Sequence, residues 1–320
     1  MKIKVTVLSP VHIGSGEEIS PTEYFIDRQR GWFNRLNLNS LFLDVKFRAH
    51  RERFITEAAR SRYIGQIISD DSLLNKHILY SIPISAEARQ EIINSPKNVK
   101  TFIKSAGRVY LPGSSLKGSI LSAFLWHVLK EKSQEKKAII EEIIQVGKGQ
   151  SAQAYDKLLN LALGRVAPVE HRPENPKFSH WLDVADSNTI FPQESLQISL
   201  VKVKGSRTGR ELPVFYETIK KDQIFWMEIK ATEVLRKEGY SEKALFQIAH
   251  DFYSRVAQKD GVSVPNVPYL LRVGQGATAF STSLLILAED LRIRNYALRP
   301  PRTRKRIADH TPLGFVQIGL

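Results

Sequence analysis

The sequence predicts an α+β fold with a ferredoxin-like core, inserted helices and a projecting β-hairpin. Three observations predict it. Short segments, Lys2–Leu8 first among them, alternate polar and apolar residues as half-buried strands do. Two amphipathic stretches of helical period, 116–130 and 242–257, lie between such segments. The resulting order, strand, helix, strands, helix, strand, is that of a ferredoxin-like core.

Taken in chain order, Lys2, Lys4 and Thr6 alternate with Ile3, Val5 and Val7 until Pro10, and a glycine loop, Gly14-Ser15-Gly16, follows. Tyr24–Asp27 and Gly31–Phe33 read as two strands about a turn at 28–31. Residues 40–69 read as helix rich in Lys46, Arg48, Arg51, Arg53, Arg60 and Arg62, and 70–105 alternate short helical and extended pieces. Leu116, Ile120, Phe124 and Val128 recur every four residues, with Leu121, Leu125 and Leu129 beside them, so 116–130 is the clearest helix. A charged segment leads from it to Gly147-Lys148-Gly149, and Pro168, Pro173 and Pro176 extend the chain towards a strand at Trp181–Val184. Gln197–Val203 alternates again, the basic stretch Lys204–Arg210 turns the chain, and Pro213–Tyr216 and Ile224–Ile229 continue the β pattern. Leu245, Ile248, Ala249, Phe252 and Val256 form one face of the second long helix. The expected organisation is one composite domain over 1–320, with helical insertions at 40–100 and 131–170 and the hairpin at 197–216.

Composition narrows the function. The chain has 320 residues and no cysteine, which excludes disulfides, thiolate metal sites and cysteine nucleophiles. Its 47 Lys and Arg against 33 Asp and Glu give a net charge of +14, and the pI is near 9.8. Polyanions are the partners such a balance favours. The apolar run Ser283–Ala288 is far short of the roughly 20 residues of a membrane helix, and Pro10 interrupts the N-terminus before a signal-peptide core. The expectation is a soluble, cytoplasmic protein without a cofactor.

Leu111-Pro112-Gly113-Ser114-Ser115-Leu116-Lys117-Gly118 turns a strand end into the clearest helix. A helix start with serine caps and a lysine one turn in offers unpaired N–H groups and a positive dipole end to a phosphate. A nucleotide P-loop needs Gly-Lys followed by Ser or Thr. Here the order is Lys117-Gly118-Ser119, which excludes an ATPase of that type.

These residues resemble a known family. Leu8-Ser9-Pro10-Val11-His12-Ile13-Gly14-Ser15-Gly16 resembles the opening strand and glycine loop of the RAMP superfamily, the RRM-like proteins of CRISPR systems. Tyr110–Gly118 resembles its internal signature, Leu271-Arg272-Val273-Gly274-Gln275-Gly276 a reduced form of its C-terminal glycine-rich loop, and Pro312–Val316 the ending of type III subunits. Leu212–Glu217 adds a fifth similarity. Ala277 and Ala279 stand where fuller loops carry Gly. Among members, the set is most similar to the subunit that caps the 3′ end of the guide RNA in type III-A complexes.

The resemblance implies an RRM-like core with a thumb, and a non-catalytic subunit that binds guide RNA (crRNA) and packs against repeated backbone subunits. It implies a role in assembly or guide maturation, with target RNA and a host nuclease as further partners and no membrane. Candidate RNA contacts are His12, Gly14 and Gly16 in the first motif and Ser114, Ser115 and Lys117 in the second. The hairpin adds Lys202, Lys204, Arg207 and Arg210, the third motif Arg272 and Gln275, and the C-terminal basic stretch Arg292 and Arg294. That stretch, Arg292–Arg306, holds seven positive charges and no acid, and self-repulsion makes such a run costly without an anionic partner. Two alternatives stay open. One is a metal-independent endoribonuclease processing repeat RNA, with His12 as general base; the other is a different RAMP subunit, backbone or 5′-tag binding.

Overall fold

The computed structural model describes residues 1–131, 140–141, 181–204, 211–276, 283–293 and 304–320, with backbone alone at 204, 283–284 and 304–305. The strands are β1 (Lys2–Val7), β2 (Gly14–Ile19), β3 (Tyr24–Asp27), β4 (Trp32–Leu36), β5 (Ile78–Pro83), β6 (Val99–Phe102), β7 (Lys104–Ser105) and β8 (Arg108–Val109). They continue with β9 (Leu182–Val184), β10 (Leu196–Lys204), β11 (Glu211–Ile219), β12 (Ile224–Ala231), β13 (Leu270–Arg272), β14 (Arg304–Ile307) and β15 (Phe315–Gly319). The two long helices are α1 (Gly113–Glu131) and α2 (Glu242–Asp260).

The first sheet runs β13-β15-β1-β12-β9, antiparallel throughout. The chain visits it as β1, α1, β9, β12, α2, β15. Within the sheet this places the fourth strand beside the first, then the third, then the second, which is the ferredoxin-like arrangement; β13 is an added outer strand. Period-two patterning explains which face is covered. On β12, Phe225, Met227, Ile229 and Ala231 are buried, while Ile224, Trp226, Glu228 and Lys230 face outward. The long helices close on each other as well, with Trp126 and Phe252 rings 5.4 Å apart and the Tyr253 hydroxyl donating to the Ser119 carbonyl at 3.1 Å. Ser241 caps the start of α2 by accepting from Ala244 N–H, and Gly261, at φ 61°, ends it.

The second sheet runs β14-β10-β11-β6-β2. β10 and β11 pair along their full length, Leu196 opposite Ile219 to Lys204 opposite Glu211; the hairpin tip, 205–210, lies outside the described residues. The motif expected as a glycine loop is the edge strand β2, which pairs with β6 and shifts register between Gly14 and Glu18. A third sheet, β3-β4-β5, carries the inserted helices over a separate small core of Phe25, Leu36, Leu41, Phe47, Phe54 and Ile64.

The single helix expected over 40–69 is broken. Asp44 accepts from Lys46 N–H at 2.9 Å and starts a new turn, and Ser61 takes φ 54°, outside helical space. Local side-chain capping wins over propensity there. The insertion expected at 131–170 lies outside the described residues apart from 131 and 140–141. Among the described residues, no helix is long and apolar enough to cross a membrane.

Candidate functional site

Three of the sequence motifs, far apart in the chain, meet in one backbone knot. Gly314 N–H donates to Pro10 carbonyl at 2.9 Å, Val273 N–H to Gly314 carbonyl at 2.7 Å, and Gln275 N–H to His12 carbonyl at 2.8 Å. Phe315 N–H donates to the Ser9 hydroxyl at 3.0 Å. Gly274 and Gly314 have φ of +73° and +91°, and a Cβ on either would lie 2.3 Å from a carbonyl oxygen, that of His12 or Val273 respectively. Only glycine meets both demands. The close approach these glycines permit is therefore between segments of the chain itself. Gly14 and Gly16, by contrast, are exposed on the edge strand, and Gln275 is exposed in the turn Gly274–Gly276.

His12 is 1% exposed. Its Nδ1 donates to the Glu217 carbonyl at 2.7 Å, and the ring lies edge-on to Tyr216 and Phe102 at 4.6 and 6.2 Å. Of the roles open to it, fixing the loop is the one this burial serves. A general base acting on RNA must reach the 2′-hydroxyl, and this ring has no such access. Arg272 is likewise internal at 3% exposure. It pairs with Asp260 at 2.7 Å, donates from Nε to Leu313 carbonyl at 2.9 Å, and sits over the Phe315 ring. The expectation that these two side chains touch RNA meets their burial in this structure.

Beneath His12 lies a polar cluster that the sequence reading missed. The Glu217 carboxylate, fully buried, accepts from Tyr80 hydroxyl at 2.5 Å, Lys104 Nζ at 2.5 Å and Phe102 N–H at 2.8 Å. Burial, and then the Glu217 charge, push the Tyr80 phenol well above its ordinary value. The donors come from positions 137 and 113 residues away from Glu217, so spacing could not find them. One signal was available: Glu217 is an acid closing an otherwise apolar strand run.

At the start of α1, Gly113 N–H donates to Asp186 Oδ1 at 2.7 Å, while Leu111 and Ser187 exchange bonds through Leu111 N–H to Ser187 Oγ at 2.8 Å and Ser187 N–H to Leu111 carbonyl at 3.0 Å. Ser114 is exposed and Ser115 and Lys117 are half-buried. The helix start was expected to await a phosphate. An anion from the chain itself, Asp186, already sits at its first N–H, which weakens the attraction for a second.

Two basic groups that the sequence separates become neighbours. β14 forms the outer edge of the second sheet next to β10, with Lys202 opposite Arg306 and Lys204 opposite Arg304. Lys202 Nζ lies 3.5 Å from Glu211, and Arg306 donates to Asp260 carbonyl at 2.7 Å. Arg292, exposed, follows a short helix, Ser283–Asp290, with φ 51°. Arg207, Arg210 and Arg294, with the Lys204 side chain and Ala277 and Ala279, lie outside the described residues.

Comparison with known proteins gives a consistent result. The sequence model of the RAMP superfamily matches residues 4–236. A Methanocaldococcus jannaschii protein, "CRISPR system Cms protein Csm5", is 29% identical over 155 residues, 44% of this chain and 34% of that protein. The matched stretch thus spans about a third of that relative. A Streptococcus thermophilus protein of the same name is 21% identical over 349 aligned positions, 99% of this chain and 90% of that protein. Among solved structures, a chain of a cryo-EM structure of a Csm–crRNA–target RNA ternary complex from a type III-A CRISPR-Cas system aligns with TM-score 0.71 and 22% identity over 100% of both chains. The crystal structure of T. onnurineus Csm5 aligns with TM-score 0.67 and 22% identity, over 98% of this chain and 99% of that one.

Proposed function

Because the chain belongs to the RAMP superfamily, we propose that it is a non-catalytic RNA-binding subunit of a type III-A CRISPR effector complex, acting in the cytoplasm at the 3′ end of the guide RNA. In that place it supports assembly and guide maturation, and its partners are crRNA, the backbone subunits and the target RNA they engage. The observation that carries the reading is the pairing of β10 with β14, which sets Lys202 and Lys204 of the hairpin opposite Arg306 and Arg304 of the C-terminal run at one sheet edge. A joined basic edge suits a phosphate backbone better than two scattered groups do. Likeness to Csm5 proteins along nearly the whole chain supports the subunit type. Recognition runs through phosphates and 2′-hydroxyls, because a complex serving many guides cannot read their sequence.

The test is reconstitution with the remaining complex subunits, using the wild-type chain or one with 205–209 replaced by a short Gly-Ser linker. The expected result is impaired assembly or an altered length of the recovered guide. Normal assembly with a normal guide-length distribution would sink the placement. The non-catalytic part is tested with labelled repeat RNA in EDTA. Metal-independent cutting that disappears in His12→Ala would restore the endonuclease reading.

A further inference from the structure

A cleft of about 460 Å³ opens beside the exposed edge strand β2, between β5, β6 and the β7–β8 hairpin. That volume lies within the range of small-ligand sites and holds one nucleotide. Its mouth carries two exposed apolar side chains, Phe191 at 42% and Leu79 at 58%. The Arg108 guanidinium lies 3.9 Å from the centre of the Phe191 ring. The floor is Tyr80 and Lys104, and neither is free to move: both are held by the buried Glu217 carboxylate. One wall presents the Ser15 and Thr101 hydroxyls, bonded to each other.

Each part has a counterpart in a single-stranded nucleotide. Exposed aromatic and aliphatic surface at a cleft mouth takes a base face, hydroxyls take base or ribose edges, and the arginine at the rim takes a phosphate. We propose that this cleft is a subsite for one unstacked nucleotide of single-stranded RNA, with its base against Phe191 and Leu79 and its phosphate at Arg108. The proposal rests on the RNA-binding reading and adds a base contact to it. A peptide of a neighbouring subunit is the competing occupant. Two cations line the cleft, Arg35 and Lys104, against one carboxylate, Glu17, and Arg108 stands over Phe191 at its mouth; that balance favours the nucleotide.

The full chain is titrated with a uridine 10-mer and with its abasic analogue, which has the same phosphates and no bases. Phe191→Ala is expected to lower affinity for the uridine oligomer about fivefold or more, the range for losing one stacked base, and to leave abasic binding unchanged. Phe191→Tyr retains affinity, and melting temperature confirms that the variants fold. Photocrosslinking with 4-thiouridine RNA is expected to label the peptides holding Tyr80 or Phe191. RNA binding that is equal in wild type and Phe191→Ala, with crosslinks only elsewhere, overturns the subsite and leaves the RNA-binding reading standing. Absence of any RNA binding overturns both. A neighbouring subunit's peptide crosslinked into the cleft of the assembled complex also overturns the subsite.

Discussion

Asp260→Asn tests whether Arg272 serves the fold or the ligand. The pair is buried on both sides, at 3% and 4% exposure, with a 2.7 Å contact between guanidinium and carboxylate. Burial pulls the Arg272 guanidinium below its ordinary value, and the Asp260 charge pushes back. Arginine still keeps its proton at any accessible pH. The asparagine variant therefore strands a cation in the core, at a cost of about 3–5 kcal/mol. Against a total stability of about 5–15 kcal/mol, that is a large fraction.

The control is the double variant Arg272→Met with Asp260→Leu, which removes both charges together. An apolar pair of similar volume is often neutral or better than the ion pair it replaces, so the double variant should recover most of the loss. Urea unfolding at constant slope measures the cycle of wild type, Arg272→Met, Asp260→Leu and the double variant, with Asp260→Asn beside it. A loss below about 1 kcal/mol in Asp260→Asn, or a double variant no better than the singles, would refute the buried-charge reasoning. RNA affinity decides the rest. The double variant should bind single-stranded RNA within about twofold of wild type, a difference of less than ~0.5 kcal/mol. A stable double variant with affinity down tenfold would put Arg272 on the RNA.

Other outcomes follow from the same geometry. Gly314→Ala combines φ +91° with a Cβ 2.3 Å from the Val273 carbonyl; strain alone costs roughly 1–3 kcal/mol, so thermal unfolding should show Tm lower by several degrees. Lys202→Ala should reduce the slope of log affinity against log salt for single-stranded RNA by about 0.7, the share of one phosphate; an unchanged slope would remove this lysine from the interface. Glu23 gives the pH dependence. Burial raises its pKa, but the Arg35 guanidinium at 2.9 Å and Ser20 N–H at 2.7 Å outweigh that and hold it below the ordinary 4.5. A depressed folded-state pKa stabilises fully above the unfolded value and is lost as pH falls through the folded one. Glu23→Gln should therefore be less stable than wild type near pH 7, with the gap closing below about pH 4.5.

The long helices and the alternating strands were legible because their periods are local. Leu116, Ile120, Phe124 and Val128 define the buried face of α1 without reference to anything else. The strands that complete the sheets were not legible in this way. β15 is five residues long, and its Gly319 pairs with Lys4 across almost the entire chain. The break in the 40–69 helix was readable only in hindsight, since Asp44 competes with the helix through its bond to Lys46 N–H and is held in place by Lys76 and His77, 32 and 33 residues on. For the site, the cations of 202–210 and 292–306 stood out as runs. That Lys202 meets Arg306 depends on the β10–β14 pairing, which neither run encodes alone.

The motif glycines bear on where ligand chemistry resides. Gly274 and Gly314 are used up in contacts between segments of the chain, and their neighbours His12 and Arg272 are buried with them. The effect of that knot is nonetheless transmitted outward through named bonds. The Gln275 N–H holds the His12 carbonyl, the His12 imidazole holds the Glu217 carbonyl, and the Glu217 carboxylate holds Tyr80 and Lys104 on the floor of the cleft. A substitution in the glycine motifs can therefore weaken RNA binding without any motif residue touching RNA. Such a loss should come with a lower melting temperature, whereas Phe191→Ala should lose affinity at unchanged stability. That pairing of readouts separates residues that shape the surface from residues that meet the ligand.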